Sequence, residues 1–587
     1  MGNNMSKKLM QFVALLLAIC LMMPSVWAAT PITKPIRVGL AYGSGALATA
    51  NLENNTGAGA GYRFGYYDTN LQFHELGRTD EATTKLTMLK TQNIWVNGSS
   101  YATSNNGGQV IGCYHIQVQG NYTDYTQAAQ AAAPLGGFVA WIDGSFQVRV
   151  GAYTTKEEAE AAIAAGTVSG TVVGTSAYGV NVTQTGSTQI LFQFDGGAGL
   201  SLGILPDVTG SSTVRTWFKG YRYEGGFRYE RIDGGNLTVV NILDLESYIK
   251  GVVPYEMSNN WPLEALKAQA ICARSYAYNN ILNAKHGKYH FDVCTTTDCQ
   301  VYCGAGSNVP TYQANETTDR AVEETAGQYA WYGNQIIEAF YSSSHGGASE
   351  SVYHVWGSSL SQYPYLCGVV DPYEKEIASK NAYSSWNISY TTSELTKRLQ
   401  SYGYGNGTQV QSLELTYSDL GNVIKLTVRY LNGQSNTFKP DKMRSIFGVP
   451  SIRFTVAGGQ TGTDQKTQQT SSLPINGGDA LDTNDSYFTI SGGGTVAGLD
   501  TNSGYVISGT GTVEQLPTTQ TPETPQQPEQ DNPTGTTVTV SNGTYTFHGS
   551  GYGHQLGMSQ YGAWAMVNLG YTYKQIVEFY FPGTQVK

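Results

Sequence analysis

Charged residues are scarce in this 587-residue chain, at 13% of the sequence. Lys and Arg number 34 against 44 Asp and Glu, which gives a formal net charge of -10, and no stretch gathers Lys and Arg into a cluster. Binding to nucleic-acid phosphates requires a basic face. The composition therefore argues against nucleic acid as a partner.

The N-terminal apolar run is too short to cross a membrane with ease. It extends from Phe12 to Met23, whereas a spanning helix needs roughly 20 apolar residues. Lys7 and Lys8 precede the run, and the small residues Ala28 and Ala29 follow it. This layout predicts a secretory signal peptide over residues 1–29, with a retained membrane anchor as the alternative. We therefore expect a secreted or cell-wall-associated protein.

Cysteine is also sparse. Of the seven cysteines, Cys20 lies in the predicted signal peptide. The other six would lie in an oxidising compartment, where up to three disulfides could form: Cys113, Cys272, Cys294, Cys299, Cys303 and Cys367. The sequence leaves their pairing open.

Glycine and tyrosine, by contrast, are abundant, at 70 and 41 residues. Such a profile is typical of β-rich extracellular domains, and tyrosine faces can stack on sugar rings, although most tyrosines simply occupy strands and turns. The length implies two to four domains. We predict an α+β fold with a β-rich main domain, built from 30–110, 176–456 and 541–587. A Thr/Gln/Pro/Gly-rich flexible insertion is expected at 457–540.

Residues 111–175 are distinguished by their predicted secondary-structure pattern. Two strand-helix-strand halves follow each other within about sixty residues, which predicts a small ferredoxin-like α/β module. The runs YHIQVQG and FQVRVGAYTTKEEAEAA resemble the SPOR domain, a peptidoglycan-binding module. An unrelated ferredoxin-like insertion is the alternative, because fold alone does not determine function.

The clearest chemical signal lies in residues 241–283. Pro262, with Asn260 or Asn259 as cap and Glu264 just inside, predicts the start of a helix with one apolar face. Glu256 precedes this helix among apolar neighbours that would raise its pKa. A carboxyl group that stays protonated near neutral pH is suited to protonating a glycosidic oxygen.

The runs GVVPYEM, WPLEALKAQA and ARSYA resemble the signature of the SpoIID/LytB family. The resemblance continues through IIEAFYSSSHGG, VYHVWG, PYLCGVVDP and the C-terminal GYGHQLGMSQYGAWAMVNLGYTYKQIVEFYFPGT. It implies a β-rich domain with helices around a glycan cleft, and a lytic transglycosylase that acts on peptidoglycan with Glu256 as catalytic residue. A noncatalytic amidase enhancer and a wall-binding scaffold are the alternatives.

The resemblance also suggests which residues contact the glycan. Arg274 matches the arginine of the family signature, and the cations Arg274 and Lys267 could hold polar groups of the glycan or be ordinary surface residues. Asp244 and Glu246 are expected to be solvated. The C-terminal run is expected to complete the cleft, and the remaining candidate substrate-binding residues are Tyr341, Ser343, His345, His554 and Gln560. Either histidine could instead be structural.

A metal site is a further expectation from the family. Some members bind zinc near the cleft, and this chain offers Cys294, Cys299 and His290, with His286 nearby. Asp298 stands where the family has a histidine, so one ligand is changed to oxygen or lost. In an exported protein, a disulfide is favoured over zinc for these cysteines. No cofactor is required for the chemistry. The expected partners are peptidoglycan strands and a cell-wall amidase or other hydrolase, and the oligomeric state stays open.

Overall fold

The computed structural model describes residues 34–54, 59–208, 213–306, 313–458, 537–541 and 543–587, together with six short strands between 472 and 515. The predicted signal peptide and most of the predicted insertion at 457–540 lie outside the described residues. Within these ranges, no helix combines the length and the apolar character that crossing a membrane requires.

Ten α-helices lie in the described chain, numbered in chain order. They are α1 Tyr125–Ala132, α2 Lys156–Ala164, α3 Leu245–Glu256, α4 Leu263–Asn283, α5 Glu316–Glu323, α6 Val352–Trp356, α7 Thr392–Ser401, α8 Pro440–Phe447, α9 Gln560–Asn568 and α10 Tyr573–Tyr580. Short 3-10 helices lie at Gly43–Gly45, Ala133–Leu135, Gly197–Gly199, Ile232–Gly234, Gly287–Tyr289, Glu374–Lys380 and Gly405–Gly407.

The strands outnumber the helices, which confirms the predicted β-rich α+β class. The first half of the chain contains β1 Pro35–Ala41, β2 Thr49–Asn54, β3 Gly59–Tyr67, β4 Phe73–Arg78, β5 Lys85–Lys90, β6 Ile94–Asn97, β7 Ser100–Ala102, β8 Gln109–Ile111, β9 Tyr114–Tyr122, β10 Phe138–Ile142, β11 Ser145–Tyr153, β12 Thr171–Val173, β13 Val180–Gln184, β14 Ile190–Asp195, β15 Leu202–Val208, β16 Thr216–Phe218, β17 Tyr221–Tyr223, β18 Gly226–Arg231, β19 Leu237–Asp244 and β20 Val293–Cys294.

The second half of the chain contains shorter strands. They are β21 Ala330–Tyr332, β22 Gln335–Ile336, β23 Tyr341–Ser342, β24 Trp386–Thr391, β25 Val410–Tyr417, β26 Val423–Tyr430, β27 Ser435–Phe438, β28 Phe454–Gly458, β29 Ser472–Leu473, β30 Leu481–Asp482, β31 Phe488–Ile490, β32 Val496–Gly498, β33 Tyr505–Ile507, β34 Val513–Gln515, β35 Thr537–Ser541, β36 Thr544–Gly549, β37 Met558–Ser559 and β38 Thr584–Val586. The strands from β29 to β34 pair two by two within the predicted insertion.

A seven-stranded sheet carries the site helices. Its order is β20-β1-β19-β18-β15-β3-β4, and β1 covers the alternating run Ile36–Leu40. Strand β19 leads directly into α3, and Asp244 at the junction accepts the Ser247 backbone N–H at 2.9 Å as the N-cap of the helix. The end of this inner strand therefore positions the start of α3.

Residues 114–173 contribute strands and helices in the order β-α-β-β-α-β, with the strands side by side as β12-β9-β11-β10. This group is not a separate sheet. Strand β10 pairs in parallel with β14, so that the ladder continues as a ten-stranded sheet through β13, β5, β2, β16 and β17. The segment thus shares its hydrogen bonding with the main domain.

Helix α4 lies at the centre of the largest core cluster. Almost every side chain from Ala265 to Ala277 is buried, because α3, α5, α9 and α10 pack around it. The expectation of a single buried face is therefore wrong. The expected asparagine caps are also wrong: the N-cap position is Pro262, and no side chain caps the helix.

A second core lies within residues 386–458 and 537–549, here called the β unit. Its sheets are β27-β26-β25-β35 and β24-β36-β28, so strands near the C-terminus pair with strands more than a hundred residues earlier. Helices α7 and α8 cover a core that includes Leu413, Phe447 and Phe547. The predicted 176–456 domain therefore contains two cores.

Candidate active site

Glu256 is the last residue of α3. Pro254 lacks the backbone N–H that would continue the hydrogen-bonding ladder, and the helix ends two residues later with the Met257 N–H bonded to the Val253 carbonyl. The Glu256 side chain is partly buried and points into a cleft. The end of the helix thus sets the position of the carboxyl group.

Two donors hold the Glu256 carboxylate. The Val301 N–H donates to Oε1 at 2.7 Å, and the Tyr341 hydroxyl forms a side-chain hydrogen bond with the carboxylate. Burial raises the pKa of Glu256, and these two hydrogen bonds partly oppose the rise. The Gln560 side-chain amide also donates to the Glu256 backbone carbonyl, at 3.1 Å.

Gln300 determines the direction of the Tyr341 hydrogen bond. Its Nε2 donates to the Ala273 carbonyl at 3.3 Å and to the Tyr341 hydroxyl at 3.0 Å, while its Oε1 accepts from Tyr248 at 3.1 Å. Because a carbonyl can only accept, the amide orientation is set, and Tyr341 must accept from Gln300. The single Tyr341 proton is therefore available to Glu256.

The cleft has a volume of about 1130 Å³. Five of the predicted catalytic and substrate-binding residues line it, together with the candidate metal ligand Cys299: Glu256, Tyr341, Ser343, His554 and Gln560. Further lining residues, which no sequence motif indicated as substrate-binding, include Asn280, Lys285, Glu338, Trp356, Arg444 and Tyr552. A polar cleft with aromatic rings at its margin can accommodate sugar rings.

His554 positions the Tyr341 strand. The Leu556 N–H donates to its Nδ1 at 3.0 Å, and the ring is also hydrogen-bonded to the Tyr341 backbone. Burial, with a contribution from the nearby Arg444 charge, lowers the pKa of His554 to about 4, so the ring is neutral at neutral pH. The ring therefore joins the Tyr341 backbone to the Leu556 backbone beside the cleft.

The C-terminal segment reaches the cleft by strand pairing. Strand β37 pairs in parallel with β23, which places Met558 beside Tyr341 and brings α9 with Gln560 to Glu256. Gly553 permits this close approach. Its φ is +130°, and a Cβ there would lie 2.5 Å from the Ser342 Cβ.

The structure corrects the expectation for Arg274. Its side chain is fully buried and makes a bidentate pair with Glu246 at 2.8 and 2.7 Å. Nη1 also donates to the Gln328 carbonyl at 3.2 Å. Arg274 therefore joins α4 to the start of α3 and does not contact the cleft, and Glu246 is a pairing partner instead of a solvated residue.

Lys267 also lies away from the cleft. Its ammonium group is within 2.7 Å of Glu264 and 2.6 Å of Glu324, and it lies over the Tyr573 ring at 5.5 Å. A cation held by two carboxylates is not available to a glycan. The prediction that Lys267 binds substrate is therefore not supported by its position.

His345 is buried completely, and neither ring nitrogen has a hydrogen-bond partner among the described residues. Burial lowers the pKa of His345 to about 3, so the ring is neutral. The expectation that His345 faces substrate is wrong. The loop around it is held by Glu374, which accepts from the Ser344 hydroxyl at 2.6 Å and from the Gly346 N–H at 2.9 Å.

Four potential metal ligands meet beside the cleft: His286, Cys294, Asp298 and Cys299. One ligand atom from each lies within 4.8 Å of all the others, and His286 Nε2 is 3.1 Å from Cys299 Sγ. His290 is not in this group, because it is half exposed and pairs with Glu230 at 2.6 Å. The expectation for His290 is corrected to His286.

The two thiols of this group share a hydrogen bond. The Cys299 thiol donates to Cys294, which lowers the pKa of Cys294 to about 5, while the same interaction raises the pKa of Cys299. The six cysteines of the described residues are all unpaired, so none of the expected disulfides is formed there.

Three residues of the cleft region that were not predicted differ in how strongly the sequence indicates them. Glu338 lies in the run IIEAFYSSSHGG, three residues before Tyr341, and burial raises its pKa. Gln300 lies next to Cys299, in a run whose sequence pattern indicates only metal ligands. Arg444 had no motif around it, because it reaches the cleft from the β unit.

Residues 233–332 match the SpoIID family, described as Stage II sporulation protein. This segment contains Glu256, Gln300 and the four potential metal ligands. The match supports the SpoIID/LytB family that the motifs resemble.

Three similar proteins extend this result. The amidase enhancer of Bacillus subtilis (strain 168) is 32% identical over 339 residues, which cover 57% of this chain and 40% of that protein. An uncharacterised protein of Brachyspira hyodysenteriae is 33% identical over 221 residues, 38% of this chain and 55% of that protein. Stage II sporulation protein D of Bacillus subtilis (strain 168) is 33% identical over 176 residues, 28% of this chain and 48% of that protein.

The chain spans about half the length of these curated relatives, or less. A large part of each relative's own length therefore lies outside the similarity.

Proposed function

We propose that the chain is a secreted peptidoglycan lytic transglycosylase that uses Glu256 as its acid and base. The observation that carries the proposal is the state of this carboxyl group: it faces a large cleft, burial raises its pKa, and hydrogen bonds from Val301 and Tyr341 hold it in position. A carboxyl group with a raised pKa is suited to donating a proton near neutral pH.

The reaction needs only this one carboxyl group. Glu256 protonates the oxygen between N-acetylmuramic acid and N-acetylglucosamine as the bond from the muramic acid C1 breaks. The carboxylate then removes the proton from the 6-hydroxyl of the same muramic acid, and that oxygen bonds to C1. The proton returns to Glu256, no water is consumed, and the product carries a 1,6-anhydro end.

The 111–175 segment would add glycan binding as a SPOR-type module. Its β-α-β-β-α-β order supports this assignment, alongside the resemblance of its two sequence runs. Because β10 continues into the main sheet at β14, the segment would hold the glycan at a defined place relative to the cleft. Peptide-stripped strands would be the preferred substrate, and the cell wall the site of action.

We propose that His286, Cys294, Asp298 and Cys299 hold a structural zinc ion. Two thiols, an imidazole and a carboxylate suit tetrahedral zinc, and their mutual distances of at most 4.8 Å fit its coordination sphere. The ion would stabilise the loop that leads to Gln300 and Val301. Val301 donates a hydrogen bond to Glu256, and Gln300 donates one to Tyr341. Zinc content after purification without chelator, compared with Cys294→Ser, tests this site against the disulfide alternative.

A noncatalytic amidase enhancer is the second candidate function. The name of one Bacillus subtilis relative favours it, since that protein is called an amidase enhancer. In this alternative the cleft would bind glycan without cleaving it, and a cell-wall amidase would be the partner.

Product analysis on purified glycan strands separates the two functions. The full chain should release fragments with anhydro ends, and Glu256→Gln should release none while its folding is retained. Glu376→Gln is the matched control, because Glu376 is exposed and lies outside the cleft. The enzymatic proposal would be refuted by equal products from the wild type and Glu256→Gln, or by no products from either.

A further inference from the structure

The charged side chains that line the cleft differ in whether they have partners. Lys285 is bonded to the Asp298 backbone carbonyl and lies 3.4 Å from its carboxylate. Glu338 is hydrogen-bonded to Tyr363. Arg444 has no carboxylate partner within the described chain. The cleft therefore contains one guanidinium group whose charge is not paired within the described residues.

The β unit holds Arg444 in a defined orientation. The side chain extends from α8, and its Nε donates to the Pro450 carbonyl at 3.1 Å. The same carbonyl accepts the Gly553 N–H at 3.1 Å, beside His554. Because Nε is occupied within the β unit, the two terminal nitrogens remain for a ligand in the cleft.

The environment strengthens an interaction with an anion. Arg444 is partly buried, and burial lowers its pKa, as expected for a cation removed from water. It remains charged at neutral pH, because an arginine pKa is far above 7. Two parallel N–H groups with no protein partner match the two oxygens of a carboxylate.

We infer that Arg444 is a specificity-determining residue that binds the free lactyl carboxylate of a peptide-stripped muramic acid. This inference rests on the proposed function and identifies which side chain recognises the stripped strand. While a stem peptide is attached, that carboxyl group is an uncharged amide and cannot form the ion pair. A reaction that hydrolyses this amide must therefore act before the chain does.

Binding can be measured separately from cleavage by using full-length Glu256→Gln as the parent. The probes are peptide-free glycan strands and the same strands after conversion of their carboxyl groups to methylamides. The parent should bind the free-acid strands about tenfold or more tightly than the methylamide strands, since a tenfold difference equals 1.4 kcal/mol. Adding Arg444→Gln should remove this difference.

Two further variants keep the test informative. Arg444→Lys retains a charge but lacks the fork of two N–H groups, and should give an intermediate preference. Arg429→Gln changes an arginine of the same β unit that pairs with Glu414 on the surface, and should keep the full preference. Thermal melting identifies any variant that fails to fold. If Arg444→Gln fails to fold, the inference is tested by whether Arg444→Lys reduces the preference for free-acid strands.

The inference is overturned if the parent binds both strands equally, or if Arg444→Gln keeps the preference for the free acid. Failure of the proposed function gives a different result. In that case the wild type releases no anhydro ends, while the preference for free-acid strands and its dependence on Arg444 persist.

Discussion

At the scale of single residues, the carboxyl group of Glu256 depends on a short chain of hydrogen bonds. Tyr341 donates to it, Gln300 donates to Tyr341, and the Ala273 carbonyl sets the orientation of Gln300. Burial raises the pKa of Glu256, and the hydrogen bonds from Val301 and Tyr341 lower it, so the operating pKa is a balance of burial and hydrogen bonding.

Tyr341→Phe should shift this balance upward. The carboxylate loses a donor that stabilises its charged form, so the pKa of Glu256 rises further. The protonated acid then persists to higher pH, and the alkaline limb of the cleavage rate should move to higher pH. A pH–rate profile of anhydro-end release measures the shift. Tyr332→Phe, which changes an exposed tyrosine outside the cleft, should leave the profile unchanged. An alkaline limb that stayed in place or moved down would contradict the hydrogen-bond assignment.

Arg274 has a structural role at the same scale. Its removal would leave the Glu246 carboxylate without its partner in a largely buried site, so Arg274→Ala should lower the free energy of unfolding by about 3–5 kcal/mol. Arg429→Ala removes a surface pair and should cost at most about 1 kcal/mol. Denaturant unfolding measures both. If Arg274→Ala were as stable as the wild type but bound glycan more weakly, Arg274 would be a substrate-binding residue and the structural role would be wrong.

At the scale of elements, the two parts of the cleft are joined through Glu374. Its carboxylate accepts from Ser344, His345 and Gly346 on the loop after β23, and from the Ser559 hydroxyl at the start of α9. All four groups are donors, so only a group that accepts with both oxygens satisfies them. Glu374 thereby keeps β23 and β37 side by side.

Glu374→Gln should loosen this junction. The new amide nitrogen would face donors and leave buried groups unsatisfied, which should lower the free energy of unfolding by roughly 2–4 kcal/mol. Glu376→Gln, two residues further along on the surface, should change it by less than about 0.5 kcal/mol. Thermal or denaturant unfolding compares the two variants. If both were equally stable, the role assigned to Glu374 would be wrong.

At the scale of the whole molecule, the ten-stranded sheet couples residues 111–175 to the main domain. Strand β10 pairs with β14, and the Trp141 ring lies on Phe194 at 5.0 Å. An independently folded module would be expected to have its own hydrophobic core and few contacts across its boundary. This arrangement makes the segment part of one cooperative structure.

Deletion of residues 111–175 should therefore destabilise the remaining chain. It would expose the edge of β14 together with the buried Phe192 and Phe194, which favours aggregation. Trp141→Ala should lower the stability of the full chain by about 3–5 kcal/mol, whereas Val172→Ala on the far edge strand should have a much smaller effect. Thermal unfolding and solubility measure these changes. A deletion variant with an unchanged melting temperature would identify an independent domain.

Local sequence was sufficient for several features of this protein. The alternation at Ile36–Leu40 predicts β1, and Pro262 with Glu264 predicts helix α4, although the predicted asparagine caps place its start two or three residues too early. The motifs also led to Glu256 and to Tyr341, Ser343, His554 and Gln560 in the cleft. These predictions depend on short-range patterns and on family resemblance, which a single chain displays directly.

The remaining features depend on contacts between distant parts of the chain. Arg274 is a buried structural residue because the helix that carries it is surrounded by four others, which its own periodicity does not reveal. Arg444 reaches the cleft only because the β unit folds back against Gly553, and His286 replaces His290 because the backbone turns between them. Side-chain burial and pairing are properties of tertiary packing. Sequence therefore determined the candidate acid, while only the folded structure decided which cations and ligands accompany it.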